Sequence, residues 1–217
     1  IFIMISIKEI NKLAIPAILF NITEPLIGLA DTALIGQIEY QATLAQGGVG
    51  LSSGLISTLV WGLAQMRTSL SAIVSRHFGS NHLDKIKCLI PQTFLMTLVL
   101  GSLIGALLIF YFDEVCIFLF GDIEENTLKY AQDYFKIRAI GLPLSLLIAL
   151  FYGVFRGFQN TSWAMYISLI GGAINIFLDV ILIHGLGETL SPMGVEGAAW
   201  ASLTAQVLML LLCFVFY

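Results

Sequence analysis

The chain contains 217 residues, of which 58% are hydrophobic and only 11% are charged, and its formal net charge at pH 7 is −4. The mean hydropathy is +0.93. Ordinary soluble domains contain about 25% charged residues, so this composition excludes a soluble globular protein and indicates an integral membrane protein. We expect the lipid bilayer to surround the chain, and we expect no nucleic-acid partner.

The first twelve residues precede the first long hydrophobic segment. Residues 1–12 contain Lys8, Glu9 and Lys12 and no small-residue cleavage site, and the segment that follows is too long for a signal-peptide core. We therefore expect a retained cytoplasmic segment followed by a membrane lobe over residues 13–217. Because the chain begins without an initiator Met and stops within an apolar run, we also expect it to be part of a longer protein.

The apolar segments predict an all-α, polytopic membrane protein. A helix needs about 20 predominantly apolar residues to cross a bilayer. Six segments meet this requirement, and short polar stretches that contain Gly, Asn and Ser separate most of them. The predicted spans are Leu13–Ile38, Gln46–His77, Cys88–Phe112, Leu128–Phe158, Trp163–His184, and Glu196 to the end of the chain.

Basic residues set the expected orientation, because the cytoplasmic loops of membrane proteins are enriched in Lys and Arg. The N-terminal segment and the second and fourth loops carry six basic residues, whereas the first, third and fifth loops carry only Lys129. This asymmetry predicts a cytoplasmic N-terminus. The six residues are Lys8, Lys12, Arg76, Lys85, Lys87 and Arg156.

Two aspartates fall inside predicted spans. Asp31 is seven residues from the outer end of the first span, Asp179 about five from the outer end of the fifth, and Ser202 about six into the last. With a rise of about 1.5 Å per residue, all three lie roughly 8–10 Å below the outer surface. Asn175 precedes Asp179 by four residues and projects from the same helical face. The four polar side chains are therefore candidates for one site.

The chemistry of these four residues indicates cation binding. A charge inside the bilayer costs at least about 2.5–3.5 kcal/mol and normally faces a cavity or a partner. Two neighbouring carboxyl groups can capture and release a proton. Alternatively, the oxygens of Asp31, Asn175 and Asp179 can coordinate a hard cation such as Na⁺, with the Ser202 hydroxyl nearby. A third interpretation is structural, since Arg138 is predicted near the same depth and can neutralise either aspartate as a permanent ion pair.

A second intramembrane acid, Glu24, requires a different interpretation. It lies about 11 residues from the inner end of the first span, and Arg67 lies about as far from the inner end of the second. Sequential helices are usually neighbours, so a Glu24–Arg67 ion pair is the favoured prediction and a substrate or ion role is the alternative. Pro25 removes one backbone hydrogen bond, and we expect the first helix to bend there in a way that can act as a gate.

Nothing in the chain resembles a catalytic motif, and we expect no enzymatic activity. The sequence contains no zinc-protease helix, nucleophile elbow, phosphate-binding loop or paired-cysteine motif. Cys88, Cys116 and Cys213 are widely spaced and odd in number, so we interpret them as lipid-facing or packed thiols. We expect no cofactor apart from a coupling ion, either H⁺ or Na⁺.

Six stretches together resemble the N-terminal half of a multidrug and toxic compound extrusion (MATE) transporter, and they look most like its DNA-damage-inducible F branch. The resemblance runs from about Leu13 to the end, in order and with matching helix spacing. The stretches are PLIGLADTALIG (25–36), SLSAIVSRHFGSN (69–81), YFKIRAIGLP (134–143), GVFRGFQNT (153–161), INIFLDVILIHGLG (174–187) and GVEGAAWAS (194–202).

This resemblance implies a fold of twelve helices in two six-helix lobes, of which this chain would form the first. It also implies a cation site at Asp31, Asn175, Asp179 and Ser202, although the family more often has Thr at the last position. The implied function is cation-coupled antiport that exports organic, cationic or amphiphilic compounds across the plasma membrane. The expected partners are the substrate, the coupling cation and a second lobe of the same protein.

Two alternatives to this function remain open at the level of sequence. One is a lipid-linked oligosaccharide flippase of the same superfamily, for which we expect a more cationic central cavity than Arg67 and Arg138 supply. The other is a half-length membrane protein that does not transport, because half of a cavity cannot alternate access unless two copies pair.

Overall fold

A computed structural model describes residues 7–38, 41–187 and 190–217, apart from the side chains of residues 8–10 and 24. In these ranges the protein is helical. The helices are α1 (Ile7–Ile35), α2 (Ala42–Leu63), α3 (Met66–Gly79), α4 (Leu83–Phe110), α5 (Phe112–Phe120), α6 (Glu125–Ile140), α7 (Leu142–Gly157), α8 (Thr161–His184) and α9 (Gly194–Phe216).

The predicted all-α membrane architecture is confirmed. Within the described residues, five stretches are long and apolar enough to cross a membrane, and α6 with α7 forms a sixth if the bent pair is counted as one span. The second and fourth predicted spans are not straight helices. Ala64 and Gln65 separate α2 from α3, and the axes of α6 and α7 differ by 49° around Gly141. Pro143 lies in the first turn of α7, where its missing N–H costs no helical hydrogen bond.

The connection between the third and fourth predicted spans contains a further short helix. Residues 112–120 form α5, whose first turn contains Asp113 and Glu114. Acidic side chains at a helix N-terminus interact favourably with the helix dipole. The helix ends at Gly121, which has a φ of 76° that few other residues tolerate.

The packing of the helices brings four of them around one point. The most extensive contacts of α8 are with α9 and α1, while α6 packs against α2 and α9. On the other side, α3 and α4 pack against α7. Consequently α1, α6, α8 and α9 surround a common centre.

Two close helix contacts depend on glycine. A Cβ at Gly48 of α2 would lie 2.7 Å from the backbone of α6, and a Cβ at Gly153 of α7 would lie 2.5 Å from the backbone oxygen of Arg67. Small residues permit this approach, as is common between membrane helices. Beside Gly48, the buried Ser52 hydroxyl donates a 2.7 Å hydrogen bond to the backbone oxygen of Ala131, which joins α2 to α6.

Candidate functional site

The two intramembrane aspartates meet at the contact between α1 and α8. Asp31 is 7% exposed and Asp179 is 0% exposed, and their carboxyl groups lie close enough to interact directly. Neither oxygen of Asp179 has a hydrogen-bond partner in good geometry, and neither does Oδ1 of Asp31. Buried polar atoms without partners are rare in folded proteins. The pair therefore offers three buried acceptor oxygens to a proton or a cation.

An amide and a hydroxyl complete this group of polar residues. Asn175 and Ser202 are both buried, and Asn175 Nδ2 lies 3.5 Å from Ser202 Oγ, to which it donates. This hydrogen bond joins α8 to α9 and directs the amide nitrogen toward the hydroxyl. The amide oxygen of Asn175 is left without a partner. Asp31, Asp179 and Ser202, which the sequence placed at one depth, thus lie together with Asn175.

Arg138 of α6 is the basic neighbour of the aspartates. Its guanidinium is near enough to interact electrostatically with both Asp31 and Asp179. However, its Nε and Nη1 atoms are buried without a hydrogen-bond partner, as are both oxygens of Asp179. Arg138 therefore does not form a hydrogen-bonded ion pair with Asp179. Its charge acts on the site, while the carboxylate oxygens stay available.

A cavity of about 280 Å³ opens beside this group. Asp31, Asn175, Ser202 and Arg138 line the cavity, whereas Asp179 lies behind them and does not. Of the two aspartates, Asp31 is therefore the one that borders the cavity. Most of the remaining wall is apolar or aromatic and includes Phe20, Ile27, Ile56, Val60, Trp61, Ile148, Tyr152 and Met209. Such a wall suits an amphiphilic organic compound.

The predicted Glu24–Arg67 pair involves a side chain outside the described residues. Arg67 lines the cavity, and its guanidinium carbon lies 5.9 Å from the centre of the Phe20 ring, in the range of a cation–π contact. The helix α1 is continuous through both Pro16 and Pro25. Pro25 thus leaves α1 uninterrupted, and its role as a gate stays a prediction.

Sequence reasoning missed several polar residues of the site. Tyr134 is buried and lies beside Asp31, Asp179 and Ser202. Tyr134 precedes Arg138 by four residues, and residues four apart in a helix lie on the same face. This spacing was the sequence signal that could have identified it. Gln206 donates a 2.9 Å hydrogen bond to Ser145 Oγ in the cavity wall, and it follows Ser202 by one helical turn.

Comparison with known proteins identifies the family. A family profile for MatE matches residues 16–181. The chain belongs to the MatE family. It is 32% identical to DNA damage-inducible protein F of Escherichia coli (strain K12) over 211 residues, which cover 97% of this chain and 44% of that protein. It is also 28% identical to the probable multidrug resistance protein NorM of Thermotoga maritima, over 92% of this chain and 42% of that protein.

Solved structures show the same fold. A MOP superfamily transporter from Pyrococcus furiosus superimposes with a TM-score of 0.80 at 24% identity, over 95% of this chain and 43% of that chain. A crystal structure of MATE in the bent conformation superimposes with a TM-score of 0.84 at 23% identity, over 95% of this chain and 44% of that chain. The chain therefore spans less than half the length of these MatE proteins, and it has the fold of one part of them.

Proposed function

We propose that this chain is one lobe of a secondary active transporter that exchanges H⁺ or Na⁺ for an organic compound across the plasma membrane. The observation that carries the proposal is the meeting of Asp31 and Asp179, with unpaired oxygens, beside a largely apolar cavity. The multidrug resistance names of similar MatE proteins support efflux as the direction of transport. We further propose that the N-terminus is cytoplasmic and that a second lobe forms the opposite wall of the cavity.

The arrangement assigns each residue a role in cation binding. Asp31 receives the ion from the cavity, since it lines the wall, and Asp179 shares the ion from its fully buried position. Ser202 accepts from the Asn175 amide nitrogen, which leaves the Asn175 oxygen as a further neutral ligand. Carboxylate and amide oxygens suit Na⁺, and the same carboxylates can accept a proton.

Exchange follows from competition in one cavity. When the coupling cation leaves, the carboxylates regain negative charge, and the cavity then holds a positively charged or amphiphilic compound better. When the cation returns, it lowers that affinity, and the difference between the two states biases the direction of opening. We propose that α1 adjusts near Pro25 during this change.

Transport into membrane vesicles tests the proposal. Vesicles would be made from cells that express the complete gene product carrying this chain, and uptake of a fluorescent organic cation would be driven by an imposed H⁺ or Na⁺ gradient. We expect Asp31→Asn and Asp179→Asn to reduce ion-driven transport at least about 100-fold. Asp84→Asn, an exposed acid in the first turn of α4, is the matched control and should transport normally. Wild-type transport by Asp31→Asn would refute the mechanism.

A further inference from the structure

The charges around the aspartate pair add up to a small negative total. Among the described residues, the formally charged groups that act on Asp31 or Asp179 are the two carboxylates themselves and Arg138. Two negative charges and one positive charge leave −1. Arg67 lines the same cavity but lies against Phe20, which precedes Asp31 by eleven residues, or about 16 Å, along α1. Tyr134, the other titratable neighbour, is neutral at physiological pH.

Arg138 contributes its charge without occupying the carboxylate oxygens. Its Nε and Nη1 atoms have no hydrogen-bond partner, and three oxygens of the aspartate pair have none either. Arg138 also lies in the last turn of α6, where the negative end of the helix dipole stabilises a cation. The guanidinium thus lowers the negative charge of the site and leaves its ligand atoms open.

We propose that Arg138 is a fixed counter-ion that makes the site select one monovalent cation and reject divalent cations. This proposal rests on the cation site of the proposed function. A single H⁺ or Na⁺ brings a site of charge −1 to neutrality, whereas Ca²⁺ or Mg²⁺ would leave an excess positive charge in a region of low dielectric constant. Coulomb energy grows with the charge of the ion, so the repulsion from Arg138 is twice as large for a divalent ion.

The ligand atoms near the site agree with this selectivity. Ca²⁺ usually takes six to eight oxygen ligands, including several carboxylates. In the part of the chain that the structure describes, no group of three or more His, Cys, Asp or Glu side chains could hold a metal ion. Without the arginine, the two carboxylates would carry a charge of −2, which one divalent cation would neutralise. The arginine is therefore the feature that separates a monovalent site from a divalent one.

Equilibrium binding of ²²Na⁺ and ⁴⁵Ca²⁺ to the purified complete gene product tests this proposal. Arg138→Gln removes the positive charge and keeps a polar side chain. Because the free-energy change scales with ion charge, a gain of about 10-fold in Na⁺ affinity implies a gain of about 100-fold in Ca²⁺ affinity. Arg138→Lys keeps the charge and should discriminate like the wild type. Arg156→Gln, an exposed arginine in the last turn of α7, is the matched control and should change neither affinity.

The outcomes separate an electrostatic role from a structural one. If Arg138→Gln weakens both ions equally, or changes Ca²⁺ affinity less than threefold, the proposal is wrong. It is also wrong if Arg138→Lys, which keeps the charge, binds Ca²⁺ at least threefold more tightly than the wild type does. This second comparison does not use the glutamine variant and stays informative if that variant does not fold. These binding measurements are independent of transport. A wild-type protein that shows the predicted ion binding but no gradient-driven efflux would overturn the proposed function and leave the role of Arg138 standing.

Discussion

The contact between α8 and α9 allows a quantitative test of how the site is held together. A Cβ added at Gly197 of α9 would lie 2.5 Å from the backbone oxygen of Leu182 in α8 and 2.6 Å from its carbonyl carbon. Ordinary contacts of a Cβ begin at 3.4 Å, so Gly197→Ala requires the helices to separate by about 0.9 Å at this point. The partner atoms belong to the backbone of a helix and cannot rotate away.

This separation should have two energetic consequences. Overpacking of a well-packed contact costs about 1–3 kcal/mol. The Asn175–Ser202 hydrogen bond is already 3.5 Å long, and half of the required separation would break it, at a further cost of about 0.5–1.5 kcal/mol. For a chain of this size each kcal/mol lowers Tm by about 2–4 °C. Together these costs are about 1.5–4.5 kcal/mol, so we expect Gly197→Ala to lower Tm by roughly 3–18 °C and to weaken cation binding.

Thermal unfolding of the purified protein in detergent, followed by intrinsic fluorescence, measures the first effect. The control is Gly54→Ala in α2, because a Cβ at Gly54 meets nothing within 4 Å. Alanine is favoured over glycine in a helix, so this variant should unfold at the wild-type temperature or slightly above it. A Gly197→Ala protein with the same Tm as Gly54→Ala would refute the close approach of α8 and α9.

Two further predictions concern other parts of the molecule. Ser52→Ala removes the buried hydrogen bond to the backbone of α6 and should lower the free energy of unfolding by about 0.5–1.5 kcal/mol, as measured by thermal unfolding. The control is Ser75→Ala, which changes an exposed serine that bonds within its own helix and should have no effect. Burial, assisted by Asp113, raises the pKa of the Cys116 thiol to about 11, so at pH 8 only about one thiol in a thousand is ionised. In a Cys88→Ser background, maleimide labelling of Cys116 should therefore accelerate about tenfold per pH unit between pH 8 and 10, and a rate that does not depend on pH would contradict this.

The sequence predicted the spans well because their signal is local. Each span is a continuous apolar segment, and its outer boundaries lie within six residues of the observed helix ends, as with Cys88–Phe112 against α4 at Leu83–Phe110. The second and fourth spans are each divided between two helices. The short helix α5 and the bend between α6 and α7 were not predicted, although the sequence contains local signals for both. Residues 112–120 are apolar after two acidic residues, as in a short helix that ends at glycine. Likewise Gly141 and Pro143 together mark the bend between α6 and α7.

The site required information that depth alone does not supply. Counting residues from the span ends placed Asp31, Asp179 and Ser202 at one depth in the membrane. Residues at one depth on three helices can still point away from one another. The structure resolves this through small residues: a Cβ at Gly172 of α8 would lie 2.8 Å from the Ile27 side chain of α1, and Gly197 sets the approach of α9 to α8.

These contacts show that the position of the aspartates depends on the glycines. Larger residues at the α1–α8 and α8–α9 contacts would move the carboxyl groups of Asp31 and Asp179 apart and fill the space beside them with apolar side chains. Each aspartate would then be an isolated buried charge, which costs far more than a shared site that one cation can neutralise. In the proposed mechanism the packing glycines are therefore as necessary as the four polar residues, because they hold α1, α8 and α9 close enough for the carboxyl groups to meet.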